Sequence, residues 1–332
     1  MTEDRAPLGV LVAAVERALR APSVHNTQPW RWRLDDGRVE LHGDPVRHLV
    51  ATDPDRRDLV LSCGAALHHL GVALAAAGWS ARTRRLPAPG DRWHLATVSA
   101  HAPGPGRGRS PAPAAAALSR AIEERRTDRR PFGPEQVPRW ALDRLVAAAT
   151  ACGALLVPVT EPGARLRLDE ALADAGARQR FAPGYAAELT IWSHRWTAAR
   201  DGVPASARTV RGTDPDLRSF PRGQLTDTRA PRAADDASVL LVLTTTGDGV
   251  LDHLLAGEAT SAVLLTATSL GLATTPLSQS QEVAAVRERL AAQVLRSPDH
   301  PQLVIRAGYP GPAARPLEAT PRRALESVLL RT

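Results

Sequence analysis

The sequence predicts a mixed helix-and-strand protein built from two related halves, and three observations carry that prediction. Segments with apolar residues at helical spacing alternate with short apolar runs of strand length. Two of the helical segments repeat each other: Gly64 to Gly78 and Gly257 to Gly271 enclose the same interval, filled with Ala, Leu and Val, with Ala66 matching Ala259. Between the copies lies HAPGPGRGRSPAP, residues 101–113, the most linker-like stretch of the chain. The division expected is therefore 1–113 and 114–332. A length of 332 residues suits one large or two small domains, and 43% apolar with 23% charged residues is ordinary globular usage.

Leu8, Val12, Val15 and Leu19 follow helical spacing, so the chain opens with a helix that stops near Ala21 and Pro22. RWRLDDGRVELHGD reads as two short strands around Asp36 and Gly37, a hairpin signal. Residues 58–78 form a long, mostly buried helix ending at Gly78, and 93–100 a strand. After the linker come a helix at 114–126, the segment RRTDRRPF, a helix at 140–151 and a strand at 155–159. Residues 165–200 are predicted helical. Residues 201–236, crowded with Pro, Gly, Asp and Arg, read as a long loop of the kind that is functional or mobile. A buried strand at 238–246, a buried helix at 257–272 and a final strand at 301–310 complete the chain.

All 42 basic residues are Arg, because the chain contains no Lys. That excludes a Walker A nucleotide site, a protein kinase and a pyridoxal enzyme, each of which needs a Lys. The net charge of +7 is read as codon usage in a GC-rich genome, since the Arg residues are interleaved with acids and no nucleic-acid motif accompanies them. Cys63 and Cys152 lie far apart, without the spacing of a zinc site or a disulfide framework. The N-terminus carries acids where a signal peptide needs basic residues, and no run was expected to approach the ~18 apolar residues of a membrane span. The expectation is a cytoplasmic protein with no membrane or nucleic-acid partner and no metal.

Two segments stand out chemically. APSVHNTQPW, residues 21–30, offers Ser23, Asn26, Gln28 and free backbone N–H groups to a polar planar ligand. The alternative is a turn whose polar groups satisfy one another. ERRTDRRPF, residues 124–132, places Arg125, Arg126, Thr127 and Arg129 at a helix end, where guanidinium forks beside a hydroxyl suit a phosphate dianion. A solvated surface run is the alternative there. TPRRALE, residues 320–326, sets paired Arg at a helix start, whose amide dipoles favour an anion. His68 and His69 are read as core or capping groups, and Trp79, Trp93, Trp140, Trp192 and Trp196 as packing.

Together these segments resemble the flavin-dependent nitroreductase family. The residues that carry the resemblance are Pro22, Ser23, Asn26, Gln28, Pro29 and Trp30 of the loop; Arg125, Thr127 and Arg129; Gly271, Leu272 and Pro276; and Arg322 or Arg323. The resemblance implies an α+β nitroreductase-like fold with antiparallel-rich sheets surrounded by helices. It also implies FMN as cofactor, NAD(P)H as a candidate electron donor, and a nitroaromatic, quinone or similar small molecule as acceptor. By the family pattern Arg125, Thr127, Arg129 and one of Arg322 and Arg323 hold the phosphate, with Arg126 beside them. Ser23 and Asn26 reach the ring and ribityl from the opposite half, with Pro22, Val24 and Gln28 in the same loop, and backbone at Leu277 and Ser278, next to Pro276, faces N5 of the ring. In the ordinary family the phosphate motif precedes the loop, and each flavin lies between two subunits. Here the loop comes first and each motif occurs once, the order expected of the Acg-like fused-half branch, a pseudo-dimer with one FMN site. A monomer then suffices for that site, and a homodimer is compatible with it. The segment 181–236 is expected to be a lid, anchored by Tyr185 or Trp192, with Gly202 to Arg232 over the mouth; such a lid would make the alternative function FMN sequestration without nicotinamide turnover.

Overall fold

The computed structural model describes residues 5–35, 37–103, 113–209, 218, 220, 221, 223–225, 236–311 and 314–330. Helix α1 (Leu8–Ala18) buries Leu11, Ala14, Val15 and Ala18 on one face. Strands β1 (Trp30–Asp35) and β2 (Arg38–Gly43) form the expected hairpin, with Gly37 at φ 66° in the turn; Asp36 lies outside the described residues. Helix α2 (Arg57–Ala76) follows, then β3 (Ser80–Arg85) and β4 (His94–His101), giving an antiparallel sheet in the order β1-β2-β4-β3.

The second half runs α3 (Pro113–Glu124), α4 (Arg139–Thr150), β5 (Leu155–Val159), α5 (Pro162–Arg180), α6 (Tyr185–Ser193) and β6 (Val239–Thr245). It continues with α7 (Val250–Ser269), β7 (Ala273–Leu277), α8 (Gln279–Glu282), α9 (Ala284–Leu290) and β8 (His300–Gly308). Its sheet is antiparallel in the order β5-β6-β8-β7. Both halves share one wiring, helix–strand–strand–helix–strand–strand, with the fourth strand slotted beside the second. Each sheet also carries a register shift on its second strand, between Leu41 and His42 in one and between Leu243 and Thr244 in the other. The second half adds α5 and α6 between its first two strands, and α8 and α9 between its last two.

The repeated helices α2 and α7 pack against each other at the centre. A Cβ on Gly64 would lie 2.1 Å from the Leu254 carbonyl oxygen, and one on Gly257 would lie 2.0 Å from that of Leu61, so the two backbones touch where these glycines face. The same crossing is bonded by His68 and His69, whose Nδ1 atoms meet Ser261 Oγ at 2.7 and 2.8 Å. Gly78 and Gly271, at φ 77° and 76°, stop the two helices in matching left-handed turns. Arg85 forks onto Glu258 at 2.6 and 2.8 Å, and Arg57 meets Asp248 at 2.7 Å, tying the halves together. By length and composition both helices could cross a bilayer, contrary to the expectation that no run would suffice; most of each is buried inside the protein.

Several local expectations change. The edge strands β3 and β7 and the helices over 279–290 were not anticipated. The predicted helix over 165–200 is two helices, broken at Gly184 with φ 79°. TPRRALE does not start a helix: residues 318–324 have no helical assignment, and a single 3₁₀ turn follows at Leu325–Ser327. Trp140 and Trp196 are 55% and 80% exposed and do not pack, whereas Trp79 and Trp192 are buried. Residues 104–112 of the linker lie outside the described residues, as do 210–217, 219, 222 and 226–235 of the expected lid. The described part of that segment is less poor in core residues than expected, because Tyr185, Leu189, Val203 and Phe220 form a small apolar cluster.

Candidate functional site

Between the halves lies a cleft of about 480 Å³ that joins a smaller inner chamber of about 100 Å³ through shared walls at Pro22, Ser23, His25, Thr127 and Arg129. Three chain segments build it. The first is the loop after α1, where His25, Asn26 and Gln28 hold left-handed φ values of 46°, 54° and 51°. Backbone of this kind costs roughly 1–3 kcal/mol per residue and persists only where neighbours enforce it. The enforcing bonds are visible: Ser23 Oγ accepts from Gln28 N at 2.9 Å, and Asn26 Nδ2 donates to the carbonyls of Gly202 and Pro321 at 2.9 and 3.1 Å. Gln28 Nε2 donates to the Arg200 carbonyl at 3.0 Å, and its Oε1 accepts from Arg323 N at 2.8 Å.

The second segment follows α3. Thr127 bridges Thr274 on β7, and Asp128 N donates to the Thr274 carbonyl at 3.0 Å. This lays Thr127 and Arg129 beside Pro276, Leu277 and Ser278, which line the inner chamber together with Val24. The third segment is the C-terminal tail. Trp32 N donates to the Val328 carbonyl and Leu330 N to that of Trp32, both at 2.8 Å, so the tail returns to the first half and carries Arg322 to the cleft.

The expected site residues thus separate by role. Pro22, Ser23, Asn26, Arg125, Arg126, Thr127, Arg129 and Arg322 line the cleft. Gln28 and Arg323 do not. Gln28 is fully buried, its amide bonded to Arg200 and Arg323, and Arg323 is spent on the carbonyls of Gln28 and Ser327 and on Asp44. Gln28 and the amide nitrogen of Asn26 are neither free for a ligand nor satisfied within the turn: they bond to the segments around Arg200 and Gly202 and to the C-terminal tail at Pro321 and Arg323.

The electrostatics are those of an anion site. Arg125 is 5% exposed, yet its Nε and Nη1 have no hydrogen-bond partner, and Arg322 Nε is likewise buried and unpaired. Burial, together with the neighbouring Arg126, lowers the Arg125 guanidinium to about 10. Burial and then Arg218 bring Arg129 to about 10, Asp128 opposing. Burial and then Arg125, Arg20 and Arg126 bring Arg322 to about 9. These groups stay charged at neutral pH, so several mutually repelling cations are held in poor solvation. A dianion with several oxygens is the partner that relieves both costs.

The inner chamber has a different character. His25 is buried with both ring nitrogens unpartnered, and burial, then Arg218 and Arg129, hold it well below the usual imidazole range. Asp58 also lines the chamber with Oδ2 unpartnered; burial, then Asp53 and Glu282, push its carboxyl well above the usual range. Arg218 reaches Glu282 at 2.5 Å and Tyr185 Oη at 2.8 Å, while Ser278 Oγ donates to Glu282 at 2.6 Å. His25, Asp58, Arg218 and Phe220 were not among the expected site residues. His25 stands inside the loop 21–30, and as its one titratable member it carried a readable signal.

A family model described as the nitroreductase family matches residues 122–309. The Mycobacterium tuberculosis (strain ATCC 25618 / H37Rv) protein named "Putative NAD(P)H nitroreductase Rv3131" is 42% identical over 316 residues, covering 94% of this chain and 88% of the relative. From the same strain, "Putative NAD(P)H nitroreductase acg" is 36% identical over 333 residues, covering 99% and 97%. Among solved structures, the FMN-dependent nitroreductase NfnB from Mycobacterium smegmatis in complex with NADPH aligns over 66% of this chain and 99% of its own, at 18% identity and a TM-score of 0.43. A family model spanning more than half of the chain, and relatives well above 30% identity along nearly all of it, establish that this chain belongs to the nitroreductase family.

Proposed function

We propose that this chain is a cytoplasmic FMN-binding oxidoreductase that takes electrons from NAD(P)H and passes them to a nitroaromatic, quinone or similar small acceptor. The observation that carries the proposal is the buried, unpartnered guanidinium of Arg125, set with Arg322 and Arg129 in a cleft walled by both halves. Donor atoms held out of water without acceptors fit a phosphate, and the adjoining chamber of Pro22, Val24, Pro276 and Leu277 fits the face of a planar ring. When bound, FMN would supply the two-electron chemistry, accepting a hydride and passing electrons on. Arg125 and Arg129 would hold the phosphate, Arg322 would add its unpaired Nε, its Nη atoms being bonded to Thr320, Pro321 and Arg20, and Thr127 would add a hydroxyl. Arg126 would contribute charge more than bonds, because its nitrogens already serve the carbonyls of Glu123, Arg125 and Leu317. Ser23 and Asn26 would fix the loop that meets the ligand from the other half. One chain supplies every one of these groups, so a monomer is sufficient.

The double variant Arg125→Ala/Arg129→Ala tests this directly. Charge-assisted bonds to a shielded dianion are worth roughly 1.5–3 kcal/mol each, so the double variant should lose FMN affinity by at least a hundredfold, measured by fluorescence titration. Unchanged affinity moves the phosphate elsewhere.

A second reading, FMN storage without nicotinamide turnover, is favoured by one observation. Gly202 to Pro204, Gln224 and Leu225 line the cleft, and Arg218 and Phe220 line the inner chamber, so the segment after α6 already forms a wall of the site. Replacing 202–232 by a short Gly-Ser linker should then speed anaerobic bleaching of bound FMN by NADPH. A rate no faster than the parent's shows that the segment does not gate the ring.

A further inference from the structure

Neither chamber involves the outer face of the first sheet, where two histidines and a glutamate lie close together. Strand periodicity sends Val39 and Leu41 of β2 to the core and Glu40 and His42 to the opposite face. The register shift between Leu41 and His42 then sets His42 directly opposite His94 on β4, so that their rings stack with centroids 4.4 Å apart and planes 17° apart. His42 Nε2 lies 3.2 Å from Glu40 Oε2, and one ligand atom from each of Glu40, His42 and His94 falls within 4.8 Å of the others. A tetrahedral ion with bonds of about 2.0–2.1 Å has ligand-to-ligand edges of about 3.3–3.4 Å. The Glu40–His42 pair already has that spacing; the third atom has to close from within 4.8 Å, and the His94 ring has to turn out of the stack, because in-plane lone pairs of near-parallel rings do not converge.

The surroundings complete the arrangement. While His42 Nε2 faces Glu40, its Nδ1 faces Asp91 Oδ2 at 3.9 Å. Asp91 is itself fixed, its Oδ1 accepting from Trp93 N at 2.9 Å and its carbonyl from His94 N at 3.1 Å. A ligating His with its second nitrogen turned toward a carboxylate is the pattern that sets the tautomer and orientation of metal-bound imidazoles. His94 is held from behind by Thr97 Oγ1 at 3.0 Å. Arg33 Nη1 also donates to Glu40 Oε2 at 2.8 Å, so an ion there would share that oxygen with a guanidinium.

We propose that Glu40, His42 and His94 form a Zn²⁺ site with three protein ligands and a fourth position for water, clamping β2 to β4 at the bulge. Two imidazoles and a carboxylate are a donor set that suits Zn²⁺ over Mg²⁺ or Ca²⁺. The site is independent of the flavin reading, because none of its residues lines the cleft or the chamber.

The test uses the full chain stripped of metal and titrated with ZnCl₂ against a chromophoric chelator, with Co²⁺ absorption as a second readout. The expected result is one Zn²⁺ per chain, a tetrahedral Co²⁺ spectrum, and a melting temperature that rises with Zn²⁺ and not with Mg²⁺. Glu40→Gln, which keeps shape and hydrogen bonding, should weaken Zn²⁺ at least tenfold, Asp91→Asn about tenfold, and His42→Asn/His94→Asn should abolish it. FMN content should be unchanged in all of them, with metal-free melts confirming that each variant folds. No Zn²⁺ binding by the parent overturns the site. So does full binding retained in the double His variant, which would assign the ion elsewhere, for instance to Asp248 between His253 and His300.

Discussion

Asp53 shows what the interior does to a single ionisable group. Its Oδ2 accepts from Leu59 N at 2.9 Å at the start of α2, and burial raises its carboxyl to about 7, against the pull of backbone bonds from Leu59, Asp58 and Arg57. An unfolded Asp titrates near 4. Between about pH 4 and pH 7 the folded chain therefore holds a proton that the unfolded chain has released, so this group's contribution to stability falls as pH rises through that window and stays low above it. Asp53→Asn should gain stability relative to the parent by on the order of 4 kcal/mol between pH 4 and pH 8, read from urea melts at each pH. A difference that does not change with pH would mean that Asp53 ionises normally. The residues legible in the sequence were of another kind. Arg125, Thr127, Arg129 and Ser23 could be picked out because charge and hydroxyl groups crowd short segments where helical periodicity stops. Arg218 gave no such signal: it stands in a stretch without periodicity, and its place in the chamber depends on Glu282 and Tyr185, which are distant in sequence.

At the scale of elements, the crossing of α2 and α7 is the most constrained contact in the fold. Gly64→Ala would drive a methyl group to 2.1 Å from a backbone carbonyl that cannot turn aside, so it should cost at least about 3 kcal/mol, above the ordinary penalty for overpacking. Gly71→Ala on the same helix meets nothing within 4 Å and should be neutral or stabilising by roughly 0.5–1 kcal/mol. Equal effects of the two in denaturant melts would contradict the close approach. The glycine repeat made this pair of helices readable from sequence. The missed strands have a physical reason: β3 and β7 are sheet edges, where SARTRR needs no apolar face and Pro276 costs no interior ladder bond. Expecting one helix over 165–200 failed because apolar spacing persists on both sides of Gly184, whose left-handed φ turns the chain.

For the whole molecule, the shared wiring of the halves and the single occurrence of each motif predict one flavin site. FMN titration should saturate near one equivalent per chain whether or not the protein dimerises, and two equivalents would reject the fused-half arrangement. The repeated helices were visible in the sequence and helix was expected over 165–200, but α8 and α9 were not, because they have no counterpart in the first half to read them against. The central crossing also imposes a schedule on biosynthesis. Helix α2 is complete at Ala76, while the partner that covers its apolar surface begins at Val250. At translation speeds of roughly 5–20 residues per second, that interval lasts about ten to forty seconds. Throughout it the face of α2 that meets α7 has no partner, so an apolar helix face stays uncovered until the last quarter of the chain emerges, and the final closure is a long-range contact of the kind that folds slowly.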